Sequence, residues 1–358
     1  MKIGIVGLPN AGKSTLFNAL TAAGAPTGDY PFTTIDPNVA VVAVPDERLD
    51  RVAQTLGASA VIGEQIEFHD IAGLVPGASQ GEGLGNRFLG AIRETDAICH
   101  VVRAHAGEGV PHPEGRVDPL GDVELIETEL LAADLDTAER RLERVAKLAK
   151  TGEAEAVAER DWLAAVVDGL GSARPVRDFP APGAAADAPR KLQALTAKPV
   201  LYVVNVDEGS DEVPAPLADR AAAGGAVAVA VSARIESELG ELGDADEAAA
   251  MRAELGVGES GLERVIRGAW ELLDLISFFT ADAGKEAMAR AIPAGSSAHA
   301  AAGKIHTDIQ RRFVRAEVIG WEELIEAGGY AAARDCGLIR TEGRDYVVRD
   351  GEVLHIRH

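Results

Sequence analysis

The sequence predicts a doubly wound α/β domain, interrupted by a helical hairpin and followed by a smaller α+β domain. Three observations predict it. Short β-branched runs alternate with helical patterns over residues 1–122 and again over 198–275. A heptad seam occupies part of the stretch between them, and after Ile276 the pattern changes to strands separated by short helices.

The candidate strands of the first part are Lys2–Val6, Val39–Val44, Gln65–Asp70, Ala97–Val102, Val200–Asn205 and Ala226–Val231. Strands that alternate with helices imply a mostly parallel sheet covered on both faces. Ligands of such sheets sit beyond the carboxyl ends of the strands.

The first strand runs into Gly7-Leu-Pro-Asn-Ala-Gly-Lys13-Ser14-Thr15, and a helix begins at Ser14–Leu20. Glycines let the backbone N–H groups of Asn10, Ala11, Gly12, Lys13, Ser14 and Thr15 wrap a polyphosphate, and the helix N-terminus adds a favourable dipole. Lys13 is placed to reach the β- and γ-phosphates and the Ser14 hydroxyl to bind Mg²⁺. The loop predicts a nucleoside triphosphate and leaves the base open.

Between the first helix and the second strand, the loop Thr27–Pro37 carries Thr33-Thr34. A threonine there can close onto Mg²⁺ when triphosphate is bound. Thr34 is the expected ligand; the bland alternative is two turn-forming threonines. At the end of the third strand stands Asp70-Ile-Ala-Gly73. Asp70 is expected to hold Mg²⁺ through water, and the Gly73 N–H to meet the γ-phosphate. Gly81-Glu-Gly83-Leu-Gly85 follows a loop rather than a strand, so it is not read as a dinucleotide fingerprint.

Past the fourth strand, His112 lies in the Gly/Pro-rich loop Ala106–Asp118. It is a catalytic candidate, set against an ordinary surface histidine. His100 and His105, flanking the strand end, are weaker candidates. Along Asp122–Leu170 the residues Leu131, Leu135, Ala138, Leu142, Val145 and Ala149 recur at heptad spacing. Thr151-Gly152 breaks the pattern before a second helix at Glu153–Leu170, which makes an antiparallel helical hairpin; Ser172–Pro189 reads as a loop. Arg140, Arg141, Arg144, Lys147 and Lys150 on the hairpin read as a solvated face balanced by Glu139 and Glu143, or as a partner-binding face.

Asn205-Val206-Asp207-Glu208 ends the fifth strand, where GTP-binding proteins normally carry Asn-Lys-x-Asp. Val206 replaces the lysine that packs along the base. Glu208 replaces the aspartate that pairs with guanine, and its longer carboxylate does not occupy the same position. Adenine presents no matching N1–H, so these changes turn the expected base away from guanine. Ser232-Ala233, after the next strand, fits the loop that closes over the base.

Downstream, Leu275–Thr280, Val314–Val318, Asp345–Val348 and Val353–Ile356 read as strands. Ala298–Lys304, His306–Phe313 and Trp321–Ala327 read as helices. Lys304, Arg311, Arg312 and Arg315 form either a local RNA-facing patch or a salt-bridged amphipathic segment.

The chain has 358 residues, 47% hydrophobic and 26% charged, enough for more than one core. A net charge of −22 opposes indiscriminate nucleic-acid binding and leaves room for a local basic face. Two cysteines, Cys99 and Cys336, far apart, suggest neither a disulfide framework nor a metal cluster. With no leader pattern and no apolar stretch of membrane-spanning length, the expectation is a cytoplasmic protein without a membrane partner.

Together these motifs resemble the YchF/Obg-like ATPase family, a branch of the translation-factor-related P-loop proteins, essentially end to end. The likeness rests on Gly7–Thr15, Tyr30-Pro-Phe-Thr-Thr-Ile-Asp-Pro-Asn38, Asp70-Ile-Ala-Gly-Leu-Val-Pro-Gly-Ala, Gly81–Phe88 and Val101-Val-Arg103. It extends through Lys198-Pro-Val-Leu-Tyr-Val-Val-Asn-Val-Asp-Glu208 and Asp345-Tyr-Val-Val-Arg-Asp-Gly351. The resemblance implies a Ras-like P-loop domain in 1–122 plus 198–275, an inserted coiled-coil arm in 123–197 and a TGS-type, β-grasp-like domain in 276–358. It further implies ATP preferred over GTP, with Mg²⁺, and association with ribosomes. The departures are the Ala/Gly-rich stretches 172–189 and 209–225.

Ras-like enzymes orient the attacking water with a glutamine just after D-x-x-G; here that residue is Leu74, which cannot hydrogen-bond. Two replacements are expected: His112, or a K⁺ held by Asn10, which matches the loop asparagine that coordinates K⁺ in relatives with potassium-stimulated hydrolysis. The leading function is thus an ATP-hydrolysing switch that associates with the ribosome. The alternatives are a GTPase of the same architecture and a ribosome or RNA interaction protein with incidental turnover.

Overall fold

The computed structural model describes residues 1–24, 38–71, 84–106, 112, 115–242, 245–254 and 258–358. In chain order the strands are β1 (Lys2–Val6), β2 (Val39–Ala43), β3 (Ala60–Ile62), β4 (Gln65–Asp70), β5 (Ala97–Arg103), β6 (Val200–Asn205), β7 (Val227–Val231), β8 (Leu275–Ala281), β9 (Glu286–Pro293), β10 (Arg315–Gly320), β11 (Arg340–Glu342) and β12 (Glu352–Arg357). The helices are α1 (Lys13–Ala23), α2 (Glu47–Leu56), α3 (Leu84–Arg93), α4 (Pro119–Leu148), α5 (Ala154–Gly171), α6 (Ala188–Leu192), α7 (Ala215–Ala223), α8 (Ala233–Gly240), α9 (Ala245–Glu254), α10 (Gly261–Leu272), α11 (Ala298–Ile305), α12 (Thr307–Arg311), α13 (Trp321–Ala327) and α14 (Tyr330–Asp335). Contacts divide the chain into two units, Met1–Val42 with Glu67–Ala269, and Ala43–Ile66 with Trp270–His358.

The first unit is built on a sheet of order β2-β4-β1-β5-β6-β7. The strands β4, β1, β5, β6 and β7 run parallel. Parallel strands covered on both faces become continuous apolar runs, and β1 and β5 show this. Ile3, Ile5 and Val6 are fully buried, as is every residue of β5, His100 and Arg103 included.

The heptad seam packs as its spacing predicts. Ala138, Val145 and Ala149 are buried, and Leu131, Leu135 and Leu142 pack against a cluster that contains Trp162, Leu163 and Val166 of α5. The helix α4 begins where Asp118 accepts from the Gly121 N–H at 3.1 Å and Pro119 occupies the first turn, both favourable starts. Gly152, at φ +79°, turns the chain between the two helices. Of the basic residues on this hairpin, Arg140 pairs with Asp136, and Arg141 donates to the buried Glu159 at 2.7 Å. Asp134, on α4 and 1% exposed, accepts from the N–H groups of Leu195 and Thr196 at 2.8 and 2.7 Å and from the Thr196 hydroxyl at 2.7 Å. It fastens the returning chain to α4 just before β6.

The second unit contains a mixed sheet of order β11-β10-β12-β8-β9-β3. Here β12 lies parallel to β8, and β9 antiparallel to β8. Residues 43–66, which the sequence reading grouped with the nucleotide-binding part, carry α2 and β3. The strand β3 pairs parallel with β9, and Leu49, Val52, Ala53 and Leu56 of α2 pack with Phe279, Ala281, Ala289 and Leu324.

Asp345–Val348, expected as a strand, is not one. Val347 makes an isolated bridge to Ser297, and Tyr346 O accepts from the Ala298 N–H at 2.7 Å, so the segment caps the start of α11 instead of extending a sheet. The helix expected at His306–Phe313 is confined to α12, where the His306 ring accepts from the Asp308 N–H at 3.1 Å.

Candidate functional site

Because β1 is a buried central strand, its end delivers residues 7–12 to the carboxyl edge of the sheet. The loop needs glycine at two places. Gly7 has φ +150°, and a Cβ there would clash with the Val101 carbonyl; Gly12 has φ +99°, and a Cβ there would clash with the Asn205 side chain. The loop closes with the Ala11 N–H donating to Leu8 O at 3.3 Å, and the helix α1 starts with Leu16 N–H donating to Gly12 O at 2.9 Å. The first-turn N–H groups of α1 therefore face the loop's concave side, where they and the helix dipole favour an anion.

Lys13 lies inside this curve, its Nζ donating to Leu8 O at 2.8 Å. Burial pulls its pKa below the usual lysine value, and the carboxylate of Asp70 opposes that shift. Asp70 ends β4 beside β1, in register with Ile5, which explains how its charge reaches Lys13.

Asn205, 7% exposed at the end of β6, joins two loops. Its Nδ2 donates to Ala11 O at 3.1 Å, and its Oδ1 accepts from the Ala233 N–H at 3.1 Å. One side chain thereby ties the phosphate loop to the Ser232-Ala233 turn after β7. Ala11 and Ala233 are each 2% exposed and contribute backbone groups to this tie.

These loops surround a cavity of about 680 Å³ lined by Asn10, Gly12, Lys13, Ser14, Thr15, His105, Asn205, Val206, Asp207, Glu208, Ser232 and Arg234. Its volume lies within the range of nucleotide-sized sites. The side chain of Val206 packs into the cluster of Val204, Leu217 and Ala230. On the rim, the Glu208 carboxylate stands 3.3 Å from the Arg234 guanidinium.

Of the remaining lining residues, His105 is only a weak catalytic candidate by sequence, Asp207 has no assigned role within its motif, and Arg234 is missed altogether. Asp207 accepts from the Ala106 N–H at 3.2 Å, and the buried Arg103 donates to the carbonyls of His105 and Ala106 at 3.3 Å each. Together they hold His105 at the cavity wall. Burial pulls the His105 pKa down, as does Arg103, while Asp207 opposes them. Arg234 carries no motif; a basic residue at the second position of α8 is the only signal.

The structure gathers the expected residues 10 and 12–15 with Asn205, Val206, Glu208 and Ser232, and sets Asp70 close enough to act on Lys13. His112 is not on the cavity wall. Its Nε2 lies 3.0 Å from Asp122 Oδ2 in the first turn of α4, with both side chains 5% exposed. Burial raises the Asp122 pKa, and His112 counteracts it. Thr33, Thr34, Gly73, Leu74, Gly81 and Gly83 lie outside the described residues. Among the described residues there is no cluster of three or more His, Cys, Asp or Glu fit to hold a metal. No described helix is long and apolar enough to cross a membrane.

A lysine-bearing glycine loop between a buried parallel strand and a helix N-terminus, tied by an asparagine to a second loop pair, defines a P-loop protein of the Ras-like GTPase fold. Additional helical and mixed-sheet parts accompany it. Residues 2–133 match the family model described as 50S ribosome-binding GTPase, and residues 275–358 match the YchF-GTPase_C model, described as a protein of unknown function. The "Ribosome-binding ATPase YchF" of Bacillus subtilis is 45% identical, over 99% of this chain and 98% of its own length. The protein of the same name from Haemophilus influenzae is 47% identical over the same shares. The solved Schizosaccharomyces pombe YchF GTPase matches with a TM-score of 0.87 and 34% identity, covering 100% of this chain and 97% of that one. The chain belongs to the YchF family.

Proposed function

We propose that this chain binds ATP in preference to GTP, hydrolyses it to ADP and phosphate, and associates with the ribosome under control of the bound nucleotide. The observation that carries the base preference is the pairing of Glu208 with Arg234 on the cavity rim. A carboxylate that reads guanine must be free to accept from N1–H and the 2-amino group. Glu208 is longer than the usual aspartate, and it stands 3.3 Å from an Arg234 guanidinium that also donates to Glu238 at 2.9 Å. Val206, packed into the core at the cavity wall, lacks the long side chain that lies along the base. The names of the relatives from Bacillus subtilis and Haemophilus influenzae support both the ATPase and the ribosome parts of the proposal.

In hydrolysis, a water oxygen bonds to the γ-phosphorus while the bond from that phosphorus to the β–γ bridging oxygen breaks. The protein's task is positioning and charge neutralisation. Lys13 leaves the Leu8 carbonyl to meet the phosphates, and the N–H groups of residues 10–15 cradle them. The oxygen donors fit a hard divalent ion: Ser14 lines the cavity and Asp70 stands at the neighbouring strand end, so Ser14 and Thr34 would hold Mg²⁺ directly and Asp70 through water. Mg²⁺ supplies charge for the leaving oxygens. Leu74 leaves the water to another group. His112 is assigned that role, which requires it to leave Asp122 and enter the cavity, and Asn10, on the cavity wall, is assigned the oxygen for a K⁺ that would replace an arginine finger.

The same proposal treats 123–197 as a coiled-coil arm and 276–358 as a TGS domain, flanking a nucleotide-binding domain in 1–122 plus 198–275, in a cytoplasmic protein. An RNA contact through the C-terminal basic segment is the weaker part. Lys304 lies 3.8 Å from Glu64, Arg311 3.6 Å from Asp308 and Arg315 3.9 Å from Glu317, which favours the salt-bridged alternative. The test is co-sedimentation of the full chain with ribosomes in ATP, a non-hydrolysable ATP analogue, GTP or no nucleotide. Retention that depends on ATP state and not on GTP supports the proposal; retention indifferent to nucleotide supports an interaction protein with incidental turnover.

A further inference from the structure

A second cavity, of about 280 Å³, opens in the first unit between β5, β6, α4 and the segment 173–178. Among the described residues it shares none of its lining with the nucleotide cavity. Its walls are apolar where Ile98, Ile126, Leu130, Leu195 and Val200 meet. Thr196, Tyr202, Glu127 and Arg220 also line it, each paired with a protein group, and His100 stands apart from them. His100, 2% exposed, lines the cavity, and its Nε2 has no hydrogen-bond partner among the described residues.

Buried polar atoms are ordinarily paired, and leaving one unpaired costs about 1–3 kcal/mol. The neighbouring Tyr202 does not supply the missing partner. Its ring is tilted at 52° to the imidazole with centroids 5.7 Å apart, and its hydroxyl donates to Glu127 at 2.7 Å. Glu127 in turn is paired with Arg220. Burial, reinforced by the positive charge of Lys13, lowers the His100 pKa to about 3, so the imidazole is neutral at physiological pH and suited to an uncharged hydrogen-bonding group.

The mouth has the opposite character. Arg174 and Arg177 are exposed there, two guanidinium groups against the one exposed carboxylate of Asp178. The Arg174 guanidinium lies over the Phe179 ring at 4.7 Å, and Arg177 donates to Thr196 O at 3.1 Å. Both retain N–H groups that can receive an anion. The volume, at the lower edge of small-molecule sites, admits only a fragment-sized ligand.

We propose that this cavity is a second ligand site, which takes a small aryl carboxylic acid carrying a ring hydroxyl. The ring lies on the apolar wall, the hydroxyl pairs with His100 Nε2, and the carboxylate meets Arg174 and Arg177 at the mouth.

The test is calorimetric titration of the full chain, with and without a saturating non-hydrolysable ATP analogue. The probes are 4-hydroxyphenylacetate, phenylacetate and 4-methylphenol. Binding of 4-hydroxyphenylacetate below 1 mM, at least fivefold tighter than the two probes that each lack one group, and undisturbed by nucleotide, supports the site. His100→Leu should erase the advantage of the hydroxyl and Arg177→Ala that of the carboxylate. Leu131→Phe, at the half-buried rim, should weaken all three probes and keeps the test open if His100→Leu fails to fold. No binding at 10 mM, equal binding of the three probes, displacement by the ATP analogue, or affinities unchanged in every variant would overturn it.

Discussion

The Asn205 side chain donates to the Ala11 carbonyl at 3.1 Å, so the residue that opens the base-reading motif also clamps the phosphate loop. The same amide oxygen receives the Ala233 N–H. Asn205→Ala leaves two nearly buried backbone groups unpaired, each worth about 1–3 kcal/mol. Nucleotide affinity, followed by titration with a fluorescent ATP analogue, is expected to fall more than tenfold, with a lower melting temperature. An unchanged affinity would show that the clamp does not shape the loop.

His112→Ala is expected to lower kcat at least tenfold and to leave ATP affinity within twofold, since general acid–base and water-orienting groups contribute to the barrier rather than to binding. Single-turnover hydrolysis is the appropriate measurement, because product release then does not mask the chemical step. Equal single-turnover rates in the variant and the parent would remove His112 from the mechanism and leave Asn10 with K⁺ as the proposed aid to turnover.

Base preference is expected to follow Val206 and Glu208. The double substitution Val206→Lys with Glu208→Asp restores the usual guanine-reading pattern and should shift the ratio of GTP to ATP turnover upward by at least tenfold. Arg234→Ala should shift it only several-fold, because an exposed ion pair is worth about 1 kcal/mol or less. If neither variant moved the ratio, base choice would lie outside this strand end.

Asp134→Ala should destabilise the first unit by about 2–4 kcal/mol, since three hydrogen bonds to one buried carboxylate disappear together. Thermal denaturation checks this, with the hairpin's amide exchange as a local readout. A loss under about 0.5 kcal/mol would mean that the hairpin return is held elsewhere.

Stability should also fall between pH 6.5 and about 3 through His100. Its folded pKa lies below the ordinary value, so the unfolded chain binds a proton that the folded chain does not. That contribution is complete above pH 6.5 and is lost as pH drops through the window, at a limit of about 1.4 kcal/mol per pH unit. His100→Leu should flatten this part of the profile relative to the parent; parallel profiles would contradict the assignment.

Much of the first unit was legible because its chemistry is local. The phosphate loop, the β-branched runs and the heptad residues Leu131 to Ala149 are each read within a few turns of chain. The strand β9 escaped because Ala287, Ala289 and Ala291 fill its inward positions, and small residues carry little strand signal. The three-residue strands β3 and β11 are too short to show periodicity. Asp345–Val348 had the composition of a strand, yet its hydrogen bonds go to Ser296 and to the start of α11. At the site, motif residues were found and their helpers were not. Arg234 and His105 reach the cavity only because α8 starts beside β6 and Arg103 grips the chain after β5, facts of tertiary arrangement. His100, a weak catalytic candidate by sequence, lines the second cavity, a placement that follows from strand alternation and the seat of α4.

The preference for adenine can be measured directly by displacing a fluorescent ATP analogue from the full chain with unlabelled ATP and GTP under one Mg²⁺ concentration. Glu208 paired with Arg234, and Val206 buried, predict that ATP displaces at a concentration at least tenfold lower than GTP. Equal displacement, or tighter binding of GTP, would contradict it.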